Sequence, residues 1–237
     1  MSTSQSTDLD MGIVVRKPAQ MVSPEVRIEL REGVGDYVGR GAFKLLAAID
    51  HFELSIRGAR AIDVGSSTGG FTQVLLERNA ERVVALDVGR DQLHPRLRAD
   101  SRVLVCEGTN VRDADGVALG GPFDVVTADL SFISLAAVAA DLEQLGGDSA
   151  DWIVLVKPQF EVGADALSKS GVVLSAADRG RAMVDVVAAF SAVGLTTVGA
   201  MPSPIVGGSG NREGLLWLRR EGMPILSADA FKVLADE

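Results

Sequence analysis

Five short aliphatic runs punctuate the middle of the chain: RAIDV at 60–64, RVVALD at 82–87, RVLVCE at 102–107, FDVVTAD at 123–129 and WIVLVK at 152–157. Runs of this length, rich in Val, Ile and Leu and bounded by turn residues, read as strands buried on both faces. Helical stretches separate them: GGFTQVLLERN, a short one in DQLHPRLRAD, and a third near 133–145. Before the first run, GAFKLLAAIDHF sets Ala42, Leu45, Leu46, Ile49 and Phe52 on one helical stripe, with Lys44 off it. After the last, a long helix spans about 175–193, followed by strands LTTVGAMP and GLLWLRR. Strand and helix in regular alternation imply an α/β, Rossmann-like, doubly wound fold: a mostly parallel sheet, closed by a last antiparallel strand, with helices on both faces. Ligands of such a sheet bind at the carboxyl ends of its strands.

Several classes of protein are set aside by composition. The single cysteine, Cys106, excludes an internal disulfide and suits a reducing compartment. The polar start MSTSQSTDLDMG lacks the basic and apolar regions of a signal peptide. No stretch reaches the roughly 18–20 apolar residues of a membrane helix. The expectation is a cytoplasmic protein without a membrane partner. His51 and His94 stand far apart and lack metal-ligand spacing, so no metal is expected. A net charge of −9 argues against broad nucleic-acid affinity, although eighteen arginines can still gather on one face.

The turn after the first run, AIDVGSSTGGF, carries its glycines as G-x-x-x-G-G rather than the G-x-G-x-x-G that seats a pyrophosphate. A cofactor without phosphate needs no such cradle, and S-adenosylmethionine (SAM) is one. Asp87 closes the second run, where an acid can accept hydrogen bonds from both ribose hydroxyls. The expected cofactor residues are Asp63, Gly65, Ser66, Ser67, Thr68, Gly69, Gly70 and Phe71 around the turn, Asp87 and Val88 after the second strand, Asn110 after the third, and Asp129. The plainer alternative is a structural βαβ turn with Asp63 beside its helix. Asn110 is equally suited to contact adenine or to cap the next turn.

The fourth run stops at Asp129 and the fifth at Lys157, one of only five lysines in the chain. Two charges at neighbouring strand ends, beside the expected cofactor, are candidates for the reacting centre. Taken alone, Lys44 reads as a solvated helix residue and Glu213 as a strand-edge charge or salt-bridge partner.

The segments GRGAFKL, DVGSSTGGFT, ALDVG, ADLSFISL, VKPQFEVG and SGNREGLLWL, in order from about 36 to 220, resemble the haemolysin-like (TlyA-type) branch of the FtsJ-like methyltransferases. SFISL and KPQFEVG are the specific parts. The resemblance implies SAM-dependent methylation of ribose 2′-hydroxyls in ribosomal RNA. It also implies a catalytic Lys-Asp-Lys-Glu tetrad that falls on Lys44, Asp129, Lys157 and Glu213. Lys157 is then the general base, Asp129 and Glu213 hold the lysines, and Lys44 positions the ribose or a phosphate.

The chain departs from that pattern at its start. Such proteins usually open with an S4-type RNA-binding domain, and VVRKPAQMVSPEVRIELRE resembles only its last ribbon. Residues 1–35 carry five acids against four bases. We divide the chain into that disordered start with its remnant ribbon, 1–35, and a methyltransferase domain, 36–237. GRGAFKL also stands where SRGGLKL is more usual. Two acceptors follow: RNA or a ribosomal subunit, favoured by the tetrad, and a small molecule, favoured by the acidic balance and missing front half.

Overall fold

The computed structural model describes residues 37–235, and the readings made for residues 1–35 lie outside them. Helix α1 (Gly41–His51) precedes strand β1 (Arg60–Val64), helix α2 (Gly70–Glu77), β2 (Arg82–Asp87), the single turn α3 (Pro95–Arg98) and β3 (Val103–Glu107). Then come β4 (Phe123–Ala128), α4 (Ala139–Glu143), β5 (Gly146–Val156) and the turn α5 (Pro158–Glu161). The long α6 (Ala176–Ala192), β6 (Thr196–Pro202), β7 (Gly214–Arg219) and α7 (Ser227–Ala235) complete the order.

The seven strands form one sheet in the order β3-β2-β1-β4-β5-β7-β6. Pairs from β3 to β5 are parallel, while β7 runs antiparallel to both of its neighbours. Alternation within each strand divides the core between two faces. Ile153 and Leu155 of β5 join Ala61, Val125 and Leu215 beneath α1 and α2. Trp152, Val154 and Val156 join Val126, Leu216 and Leu218 beneath α6 and α7. The buried indole of Trp152 donates to the Leu142 carbonyl at 2.8 Å, so its polar atom is satisfied.

Two features position the functional end. From β1 the chain turns one way to β2, while β4 lies on its other side, opening a crevice between the carboxyl ends of β1 and β4. Because β7 is antiparallel, its beginning lies at the same edge as the end of β5, with Gly214 paired to Val156. Glu213 and Lys157, one residue beyond that pair, therefore face each other across the ladder.

The expected helix over 133–145 is shorter than the pattern suggests. A 3-10 turn at Ala136–Val138 leads into α4, and 129–135 form an irregular loop whose donors and acceptors are partly satisfied by side chains. Helix α7 has no counterpart in the sequence reading. No described helix is long and apolar enough to cross a membrane.

Candidate active site

The β1–α2 turn is shaped by close approach. Gly65 adopts φ +83°, and a Cβ there would sit 2.7 Å from the Asp129 carbonyl oxygen. Only glycine combines that backbone angle with that neighbour. The Asp129 N–H donates to the Val64 carbonyl at 3.0 Å, joining the ends of β1 and β4. A cleft of about 190 Å³ opens here, with Gly39–Gly41 on one wall, Gly65–Thr68 and Phe71 on another, and Asp129, Ser131 and Lys157 closing it.

The two acids flanking the turn have different environments. Asp87, 9 % exposed, accepts the Ser67 N–H at 2.8 Å and the Gly89 N–H at 2.7 Å. A carboxylate offers about four acceptor sites, so this one keeps capacity for a ligand hydroxyl. Asp63, by contrast, is fully buried and does not line the cleft. It accepts the Thr72 hydroxyl of α2 at 2.7 Å and the Thr127 hydroxyl of β4 at 3.1 Å. Burial pushes its carboxyl up to about 7, against the pull of those two hydrogen bonds. Asp63 thus braces the turn from behind, through hydroxyls of α2 and β4.

Val88, 71 % exposed, and Asn110, also exposed, follow the ends of β2 and β3 outside that cleft. The Asn110 carbonyl oxygen accepts the Arg112 N–H at 3.1 Å, so the side chain performs the capping role.

The four charged candidates assemble as two ion pairs. Lys157 Nζ lies 2.6 Å from Asp129 Oδ1 and donates a hydrogen bond to Ser131 Oγ at 2.8 Å. Lys44 Nζ meets Glu213 Oε2 at 2.5 Å, with side chains only 10 % and 3 % exposed. The expectation of a solvated Lys44 is corrected by this pair. Although off the apolar stripe of α1, the side chain is drawn inward to a carboxylate that β7 delivers to the same edge. Glu213 is buried and takes the salt-bridge role that its position allowed.

Other residues at the site carried no sequence argument of their own. Arg40, exposed at the start of α1, lines the cleft. Phe132 is 92 % exposed at φ +65°, its ring 5.3 Å from Phe160, and Lys157 Nζ stands 6.0 Å from the Phe160 ring. Their signal was the SFISL and KPQFEVG segments that hold them.

The cleft suits SAM on its own chemistry. A glycine cradle admits close backbone approach, and no phosphate-binding glycine pattern is present. The Asp87 carboxylate does not itself line the cleft but accepts the N–H of Ser67, which does, and has spare acceptor capacity for a ribose. Among the described residues, Ser66 Oγ is buried without a hydrogen-bond partner, which leaves unused polar capacity at the cleft wall.

Comparison with known proteins agrees. The family model described as FtsJ-like methyltransferase matches residues 37–220. The 16S/23S rRNA (cytidine-2′-O)-methyltransferase TlyA of Mycobacterium tuberculosis is 44 % identical over 92 % of this chain and 81 % of that protein. Hemolysin A of Brachyspira hyodysenteriae is 33 % identical over 85 % of this chain and 84 % of its own length. A provisionally named hemolysin from Streptococcus thermophilus superposes with a TM-score of 0.80 at 36 % identity, covering 88 % of this chain and 74 % of that one.

Fold, cleft and comparisons together define a SAM-dependent methyltransferase. Within that class, the chain belongs to the FtsJ-like methyltransferase family.

Proposed function

We propose that this enzyme methylates a ribose 2′-hydroxyl of ribosomal RNA, with Lys44, Asp129, Lys157 and Glu213 as its working residues. The observation that carries the reading is the convergence of the two ion pairs, from α1, β4, β5 and β7, at the sheet edge beside the SAM cleft. Bound SAM supplies a methyl group on a positively charged sulfur. What remains for the chain is to hold the acceptor oxygen in line and to receive its proton.

Lys157 lines the cleft together with its ion-pair partner Asp129. A lysine accepts a proton only after shedding its own, and a second positive charge close by favours that loss. Asp129 and Ser131 fix the amine at 2.6 and 2.8 Å, so it has a defined place from which to take the hydroxyl proton. The buried Lys44–Glu213 pair supports the same edge. In this reading Gly65–Phe71 and Asp87 hold the cofactor, Val88 and Asn110 border its adenosine end, and Asp63 acts through Thr72 and Thr127.

RNA is favoured as acceptor by the surface around the cleft and by the named activity of the tuberculosis relative. Exposed Phe132 offers an aromatic face of the kind on which unstacked bases lie. Arg40 and Arg212, both exposed, flank the site beside Gly41 and Glu213 and suit phosphates.

The test is transfer of labelled methyl from SAM to isolated ribosomal subunits, total RNA and a metabolite extract. The expected label lies in RNA, in alkali-stable dinucleotides, and falls about a hundred- to ten-thousand-fold in Lys157→Ala. Label confined to small metabolites overturns the reading.

A further inference from the structure

The turn α5 and the loop that follows β4 come from two separate segments of the sequence, yet they touch at three successive points. Lys157, at the start of the turn, donates to Ser131 Oγ at 2.8 Å. Phe160 packs its ring 5.3 Å from that of Phe132. Glu161, at the end of the turn, accepts the Ser134 hydroxyl at 2.6 Å on one oxygen and the Leu135 N–H at 2.9 Å on the other. Lys157 caps the start of the short turn and Glu161 ends it, and both reach the same loop. The same loop is tied at its beginning by the Asp129 N–H to the Val64 carbonyl and at its end by the burial of Leu135, 2 % exposed.

That loop is not at rest by itself. Phe132 holds φ +65°, a left-handed conformation that a bulky side chain rarely adopts. Such a residue persists only where the surroundings over-determine it. It is also 92 % exposed, so packing of its own ring supplies little of the restraint. Glu161 is suited to supply the rest: half-buried, it is pushed up from the usual carboxylate range by burial and pulled back by hydrogen bonds from Ser134, Leu135 and Ala136.

We propose that Glu161 is a positioning residue, the latch that fixes the 130–135 loop against α5 and thereby keeps Ser131 on Lys157 and Phe132 at the lip of the cleft. It touches neither cofactor nor acceptor. Its effect on catalysis runs through the fraction of molecules whose loop is in place. The inference rests on the proposed function for its kinetic consequence, but the loop contact itself can be measured without any acceptor.

The experiment compares wild type with Glu161→Ala, Glu161→Gln and Ser134→Ala in two readouts. Amide hydrogen exchange, without substrate, is expected to show 130–136 losing protection in Glu161→Ala while β4 and β5 keep theirs. In methyl transfer to ribosomal subunits, Glu161→Ala is expected to lower kcat and raise the acceptor KM, about 10- to 100-fold in kcat/KM, with SAM affinity unchanged. Glu161→Gln keeps an acceptor for the Leu135 N–H and is expected to recover most of the loss. Ser134→Ala, which removes one of the bonds, should fall between the two. Unchanged protection of 130–136 in a folded Glu161→Ala protein overturns the latch, as does lost protection with wild-type kcat and KM. If Glu161→Ala fails to fold, the same criteria apply to Glu161→Gln and Ser134→Ala. A wild-type protein that labels only metabolites sinks the RNA reading alone, and the latch is then judged by exchange and by kinetics on that acceptor.

Discussion

The two halves of the cleft are built on different principles. On the cofactor side, geometry comes from the backbone: Gly65 at φ +83° lies against the Asp129 carbonyl, Asp87 is held by two main-chain N–H groups, and Asp63 braces from behind through two hydroxyls. On the acceptor side, geometry comes from charged side chains paired across the sheet, Lys157 with Asp129 and Lys44 with Glu213. The first arrangement is local, contained mainly in β1, its turn and the neighbouring strand ends. The second depends on strands and a helix far apart in sequence. The cofactor half should therefore tolerate changes to the acceptor half, and the reverse.

The sharpest test lies in the buried Lys44–Glu213 pair. Removing one partner, as in Lys44→Ala, leaves an uncompensated carboxylate and should cost about 3–5 kcal/mol in urea unfolding. The double replacement Lys44→Met with Glu213→Leu removes both charges and should recover most of that stability. It should still lose methyl transfer while binding SAM normally by calorimetry. A double variant as unstable as the single one would mean that the pair does more for the fold than neutralise itself.

Asp87→Ala probes the other half. The loss of a charged acceptor for the ribose should weaken SAM binding about 10- to 100-fold. At saturating SAM, kcat should stay near wild type, because no acceptor-side contact changes. A matching fall in kcat would break the division between the two halves.

A third test concerns Asp63. Its carboxyl ordinarily titrates at 3.8 and is raised to about 7 in the fold. Below pH 4 both the folded and unfolded forms are protonated. Between about 4 and 7 the unfolded form ionises first and binds fewer protons, so stability falls as pH rises, by about 1.4 kcal/mol per unit. Asp63→Asn should flatten that slope in unfolding curves taken from pH 4 to 8. A wild-type curve already flat over that range would mean that the brace is charged throughout.

Much of this was legible beforehand. The aliphatic runs at 60–64, 82–87, 123–129 and 152–157 became neighbouring strands, because short-range alternation and turn residues act on the chain directly. Asp129 and Lys157 stood at strand ends, so their meeting followed from parallel pairing alone. Lys44 was legible only through motif resemblance, since its position off the apolar stripe of α1 points to solvent. The surroundings of Asp63 were not legible for a related reason: a strand residue's face is predictable, but the hydroxyls that cover it come from α2 and β4. The first residues of the helix expected over 133–145 belong instead to a loop, where Ser134 and Leu135 hydrogen-bond to Glu161, a residue from another segment.

The sequence by itself determined the strand cores, the glycine turn, the acid at the end of β2 and the charged ends of β4 and β5. These are consequences of local periodicity and of backbone angles that only glycine adopts freely. Tertiary structure alone decided the rest. By inserting β7 antiparallel between β5 and β6, it carries Glu213 to the edge where Lys44 waits 169 residues earlier. Such a pairing is set by register and strand direction across the finished sheet, and no window of sequence holds both partners.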